Sequence, residues 1–128
     1  MRLLLDTHTA LWWWEDSSQL SEAARIAMAD PEAEIFFSSV SGYEIFQKVR
    51  IGKLSLPRPL LVDLPGEVRR EGWQALPLGL EECVRAASIE SPHRDPFDRL
   101  LAAQSDHHGL VVATSDPFFS EAGFHSLW

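Results

Sequence analysis

Short apolar runs that alternate with stretches of helical periodicity constrain this chain more than any other feature. Arg2–Leu5, Glu34–Ser38, Trp73–Leu78 and Leu110–Ala113 are predicted strands, with His125–Trp128 a terminal one. Helical patterns fall between them. One runs from Thr7 to about Glu15, and a second carries Leu20, Ala23, Ala24 and Ala27, starts at Ser18 or Ser21 and is closed by Asp30-Pro31. A third opens at Ser41-Gly42-Tyr43-Glu44 and ends at Gly52. Pro59 to Glu71 follows, interrupted by Pro65-Gly66. Leu80–Glu90 has Cys83, Val84 and Ala87 on one face, and Pro96–His108 is stopped by Gly109. Strand and helix in strict alternation predict an α/β sandwich around a mostly parallel sheet. No repeat, low-complexity tract or long linker divides the chain, so residues 1–128 are expected to form one domain.

Composition narrows the class. With 128 residues, 45% hydrophobic and 23% charged, the chain can bury a core, which excludes a disordered protein. Cys83 is the single cysteine, so no internal disulfide can form, and a reducing cytoplasmic setting is expected. No stretch reaches the roughly 20 apolar residues of a membrane helix. Asp6 cuts the amino-terminal apolar run Leu3–Leu5 too early for a secretion signal. Eleven Lys and Arg against nineteen Asp and Glu leave a net charge of −8, which argues against holding nucleic acid by overall charge.

Four acids occupy related places. Asp6 ends the first strand, Glu44 opens the helix after the second, Asp98 lies in the first turn of the helix before the fourth, and Asp116 ends the fourth. In a parallel α/β sheet, strand ends and helix starts share one edge, where such folds place their sites. Clustered carboxylates repel, and a divalent cation relieves the repulsion. Oxygen donors without a Cys–His pattern favour Mg²⁺ or Mn²⁺ over Zn²⁺. Each acid also has a structural alternative. Asp6 can cap the helix at Thr7, Ser41-x-x-Glu44 has the form of a capping box, and Asp116-Pro117 is a cap-plus-proline pair. Capping does not explain an acid at every helix start along one edge. At Asp95-Pro96-Phe97-Asp98, Asp95 is the expected cap and Asp98 the expected ligand.

These motifs, taken in order, resemble the PIN-domain ribonucleases, and among them the VapC-type toxins of toxin–antitoxin pairs. The resemblance covers essentially the whole chain. It is carried by Leu3-Leu4-Leu5-Asp6-Thr7-His8, by Ser38-x-x-Ser41-x-x-Glu44-Ile45 with Lys48-Val49-Arg50-Ile51-Gly52-Lys53-Leu54, by His93-Arg94-Asp95-Pro96-Phe97-Asp98-Arg99-Leu100-Leu101-Ala102-Ala103-Gln104, and by Thr114-Ser115-Asp116. It implies a three-layer α/β/α sandwich with about five parallel strands. It also implies an acidic metal site of Asp6, Glu44, Asp98 and Asp116, an Mg²⁺-dependent (or Mn²⁺-dependent) endoribonuclease activity, and a homodimer. A cognate antitoxin is implied as partner, one that wraps the toxin and pushes a basic segment into the acidic pocket. Gly42-Tyr43 departs from the family, where a bulkier, Trp-containing pair is common before the glutamate.

Other residues have less specific expectations. Thr7, Thr114 and Ser115 can hydrogen-bond the ligands or serve ordinary turns. Lys48, Arg50, Lys53, Arg94 and Arg99 can contact RNA phosphates, although Arg99 can instead pair with an acid, and His93 is expected to be structural. Trp12, Trp13 and Trp14 point about 100° apart on a helix, so one core cannot take all three, and an exposed one could anchor a partner. Phe118, Phe119, Phe124 and Trp128 form a second apolar group, core or interface. The rival readings are a receiver-like signalling domain, disfavoured because no lysine follows Lys53, a non-catalytic binding module, and a DNA nuclease of similar chemistry.

Overall fold

A computed structural model describes all 128 residues. Five strands, β1 (Arg2–Leu5), β2 (Glu34–Ser38), β3 (Gln74–Leu76), β4 (Val111–Ala113) and β5 (Ser126–Leu127), form one sheet in the order β3-β2-β1-β4-β5, with every pair parallel. The helices are α1 (Thr7–Trp14), α2 (Glu22–Ala29), α3 (Ser39–Arg50), α4 (Arg58–Arg70), α5 (Leu80–Ser88), α6 (Pro96–His108) and α7 (Phe118–Glu121).

Successive residues of a strand face opposite ways, and β1 uses this to divide the core. Leu3 and Leu5 join Ala10 and Leu11 of α1, Ala24 and Met28 of α2, and Leu60, Leu64 and Val68 of α4. Leu4 faces the other layer with Phe36, Val112, Leu101 and Ala102 of α6, and Phe118 and Phe119 of α7. α3 belongs to both layers, giving Ile45 to the first and Val40 to the second. All three leucines of β1 are fully buried. Each contributes about 1.5–3 kcal/mol relative to an exposed position, which makes this central strand the anchor of the sandwich.

Local chemistry sets the helix boundaries. Ser21, not Ser18, caps α2, with Oγ accepting from the Ala24 amide. Gly109 ends α6 in the left-handed region at φ 64°, which a residue with a Cβ adopts at a cost. α4 breaks at Asp63, whose backbone leaves the helical region at φ −152° and ψ 70°. The Asp63 side chain then accepts from the Gly66 amide at 3.0 Å. A Cβ on Gly66 would stand 2.1 Å from that carboxylate and would displace the Asp63 side chain from this contact.

Three expectations need correction. α3 starts directly after β2, capped by Ser38, whose Oγ accepts from the Val40 amide; Ser41 is an interior helical residue and forms no capping box. Glu44 therefore lies in the second turn of α3 and does not open it. On α5 the buried positions are Glu82 and Ala86, while Val84 and Ala87 are exposed. The three tryptophans of α1, expected not to share one core, all pack half-buried against the layer of Leu3 and Leu5, and Trp13 and Trp14 share Trp73 as a neighbour. Trp14 packs on Phe37 and Trp73, Trp13 donates Nε1 to Glu71, and Trp12 lies against His8 and Trp128. Phe118 and Phe119 are core, whereas Trp128 is 37% exposed.

Candidate active site

β2 and β4 flank β1, so the chain winds outward to both sides from the β1–β4 pair. In such sheets the crevice beyond the carboxyl ends at this switch point is where ligands bind. Asp6 leaves β1 at that position. Its amide donates to Ala113 O across the seam at 3.1 Å, and Thr9 Oγ1 donates to the same carbonyl at 2.7 Å. The Asp6 carboxylate is fixed at both oxygens. Oδ1 accepts from the Thr7 amide at 2.7 Å, the helix-cap contact, and Oδ2 accepts from Thr114 Oγ1 at 2.7 Å. Capping and site membership thus coexist in one residue.

Thr7 links Asp6 to the next acid. Its hydroxyl donates to Glu44 Oε1 at 2.7 Å and lies 2.8 Å from Ser41 Oγ. Glu44 Oε2 accepts from Lys48 Nζ at 2.5 Å, one helical turn on. Asp98 enters from the first turn of α6. Asp95 caps that helix, accepting from the Phe97 amide at 2.9 Å, and so leaves Asp98 free to face the crevice. Asp116 lies beyond Ala113, where β4 ends, separated from it by Thr114-Ser115. Its amide donates to Thr114 Oγ1 and its Oδ1 accepts from the Phe118 amide.

The electrostatics follow from this crowding. Asp6, Glu44 and Asp98 are buried, and Asp116 is half-buried. Burial raises the Asp6 carboxyl above its ordinary range and Glu44 adds to the rise, while the Thr114 and Thr7 hydrogen bonds and His8 oppose it. Asp98 is pushed up to about 7, first by burial and then by the charges of Asp6, Asp95 and Asp116, against a hydrogen bond from His93. The edge holds more negative charge than its own cations neutralise, which is the condition that favours a bound cation.

The sequence predicts a structural role for His93, whereas the structure places it beside the acids. Its Nε2 is 2.8 Å from Asp98 Oδ2, and its ring stacks on Phe118 at 4.1 Å and 14°. Donor atoms of His93, Asp98 and Asp116 lie within 4.8 Å of one another. Beside them a cleft of about 450 Å³ is lined by His93, Asp116, Pro117, Phe118, Glu90 and Glu121. Its position before Arg94-Asp95-Pro96 was the available signal, but the placement depends on Arg99. That guanidinium donates to the carbonyls of Ala86, Ile89, Ser91 and His93 and clips the loop in place. Arg99 is therefore occupied with backbone carbonyls and forms no ion pair with an acid. Of the hydroxyls considered, Thr7 and Thr114 touch the acids, whereas Ser115 is exposed and makes no side-chain hydrogen bond. Arg50, Lys53 and Arg94 are exposed.

Comparison with known proteins agrees with this architecture. The family model described as PIN domain matches residues 3–125. The chain is 28% identical over 117 residues to "Ribonuclease VapC22" of Mycobacterium tuberculosis, covering 89% of this chain and 86% of that protein. Among solved structures, VapBC2 from Rickettsia felis, bound to a DNA fragment from its promoter, superposes with a TM-score of 0.70. The identity is 11%, with 99% of this chain and 98% of that chain covered. A toxin-antitoxin complex from Klebsiella pneumoniae superposes at 0.58 with 13% identity, covering 90% and 87%. At these identities the solved structures establish the shared fold.

Proposed function

Because this chain belongs to the PIN domain family, we propose that it is a divalent-metal-dependent endoribonuclease and the toxin of a toxin–antitoxin pair. The observation that carries the reading is that buried Asp6 and Glu44, bridged by Thr7, and the buried Asp98 with Asp116 lie along the carboxyl edge of the sheet, with Asp6 near enough for its charge to raise the Asp98 carboxyl. Its donor chemistry fits Mg²⁺ or Mn²⁺: carboxylate oxygens dominate, no thiolate is near, and Asp98 at about 7 holds a proton that a cation would displace. Asp6 and Asp98 would hold the ion, with Glu44 and Asp116 completing the set. When bound, the ion supplies Lewis-acid charge at a phosphodiester and eases ionisation of water.

The chain's own residues do the rest. Thr7 and Thr114 keep the Asp6 carboxylate in one orientation, and Thr7 does the same for Glu44. Glu44 or Asp6, each held by Thr7, would orient the attacking water. Lys48 lies at the rim on Glu44 and is available to a scissile-strand phosphate. Exposed Arg50, Lys53 and Arg94 would be the cations that offset the net charge of −8 toward RNA. Exposed apolar side chains, among them Phe46, Ile51, Leu61, Val62, Leu80 and Val84, leave surface for the protein partners that this reading implies.

The test is cleavage of a total RNA pool by the purified chain, with Mg²⁺, with Mn²⁺ and with chelator, beside Asp6→Asn and a matched DNA pool. Metal-dependent RNA cleavage lost in Asp6→Asn is expected. Cleavage of DNA alone would make the chain a deoxyribonuclease, and activity surviving chelation would remove the metal from the reading.

A further inference from the structure

We propose that His93 is itself a metal ligand, so that the site is a mixed nitrogen–oxygen site that favours a transition divalent cation over Mg²⁺. This rests on the metal-site reading above and adds a donor to it.

Phe118, itself buried, stacks on one face of the imidazole at 4.1 Å and 14°. The backbone is pinned from both sides: Arg99 Nη1 donates to the His93 carbonyl at 2.9 Å, and the His93 amide donates to Ser91 Oγ at 3.2 Å. Ring and backbone are thus preset, and they aim Nε2 at the acids. A histidine that served only to fill space would not need its nitrogen directed into the most crowded carboxylate group of the molecule.

The spacing also suits shared coordination. Ligand atoms about 2.1 Å from a cation and cis to each other in an octahedral shell lie about 3 Å apart. His93 Nε2 and Asp98 Oδ2 are 2.8 Å apart, and an Asp116 oxygen lies within 4.8 Å of both. Ligation through Nε2 puts the ring proton on Nδ1. Imidazole nitrogen is a softer donor than carboxylate, and it raises affinity for first-row transition ions more than for Mg²⁺. The alternative is that His93 only donates a hydrogen bond to Asp98 from outside the coordination shell.

Mn²⁺ is the probe that separates the two, because directly bound imidazole gives a ¹⁴N hyperfine coupling in pulsed electron paramagnetic resonance. The Mn²⁺-loaded protein is expected to show that coupling, and His93→Gln, which keeps a hydrogen-bond donor, to lose it. Mn²⁺ affinity measured by calorimetry is expected to fall about tenfold in His93→Gln, with a smaller fall for Mg²⁺. A second nitrogen source exists at the far end of α6, where donor atoms of Glu82, His107 and His108 also lie within 4.8 Å of one another. Coupling that persists in His93→Gln would come from that group or from His8 beside Asp6, and would overturn the proposal. Should His93→Gln fail to fold, the triple variant His8→Gln/His107→Gln/His108→Gln decides: coupling retained supports His93, coupling lost overturns it. Mn²⁺ binding abolished by Asp98→Asn but without ¹⁴N coupling would leave the metal-site reading standing and overturn His93 ligation. Coupling together with no RNA cleavage would uphold His93 ligation and overturn the ribonuclease reading.

Discussion

The two ends of α6 treat buried acid in opposite ways. At the C-terminal end, Glu82 is buried alone. Its Oε1 meets His108 Nε2 at 2.9 Å and its Oε2 accepts from the Gly79 amide at 3.2 Å. Close by, Arg2 donates to the His108 carbonyl and pairs with Glu34. At the N-terminal end, Asp98 is buried among Asp6, Asp95 and Asp116, with His93 as its one polar side-chain partner. One end balances each carboxylate with a group of the chain's own, as a structure under selection for stability does. The other end gathers carboxylates and leaves the balance to something external. That imbalance costs stability and is the physical mark of a site.

The largest effect should come from the unbalanced end. Asp98→Asn is expected to lower RNA cleavage by about a thousandfold or more, the scale of losing a group that stabilises transition-state charge. Its circular dichroism should match the parent, because the amide keeps the volume and Asp95 keeps the cap. An Asp98→Asn protein that cleaves at the parent rate would break the comparison outright. The balanced end should respond in the other measurement. Glu82→Ala leaves His108 and the Gly79 amide without their partner and should lower unfolding free energy by roughly 2–3 kcal/mol, read by urea denaturation. Its RNA cleavage per folded molecule should equal that of the parent.

The reason these two ends differ was only half legible in the sequence. The acids at strand ends and helix starts could be read, because strand–helix alternation fixes which edge they share. Asp95 as cap and Asp98 as the inward residue followed from Pro96. Glu44 was placed on the right helix but in the wrong turn. Ser38 both ends β2 and caps α3, so no loop marks the boundary, and Ser41-x-x-Glu44 imitates a cap that is not used. The buried face of α5 was misjudged because apolar residues were counted. Glu82 is buried through a partner 26 positions away, which no local pattern reveals. The aim of His93 is hidden for a related reason, since it depends on Arg99 collecting a carbonyl of α5 and three of the loop that follows it. Periodicity reports what faces a core, whereas polar tertiary contacts fix where a charge can be buried.

A pH titration without metal sharpens the contrast further. The Asp98 carboxyl stands at about 7 in the folded chain against an ordinary 3.8. Between those values the folded state binds a proton that the unfolded state has lost. The Asp98 contribution therefore favours folding at the low end, is lost as pH rises from about 4 to 7, and is constant above. Asp98→Asn removes this dependence. The stability of Asp98→Asn relative to the parent should rise by roughly 1–2 kcal/mol between pH 5 and pH 8 in chelator. Millimolar Mn²⁺ at pH 8 should stabilise the parent and not the variant. A stability difference that stays flat across this range would mean that Asp98 is not held up by its neighbours.

The smallest effect concerns the one lysine on the crowded edge. Lys48 pairs with Glu44 at 2.5 Å, but its side chain is one-third exposed, so water and salt weaken the pair. Lys48→Ala should change stability by only about 0.3–0.5 kcal/mol, within the range of a helical pair four residues apart. If the lysine instead serves RNA, the variant should show it in salt dependence. Measured in an Asp98→Asn background that does not cut, the slope of log affinity against log salt should become shallower by about 0.7, the release expected for one phosphate contact on a single strand. An unchanged slope would confine Lys48 to Glu44. The carboxylates would then face the substrate with only the exposed Arg50, Lys53 and Arg94 to offset its charge.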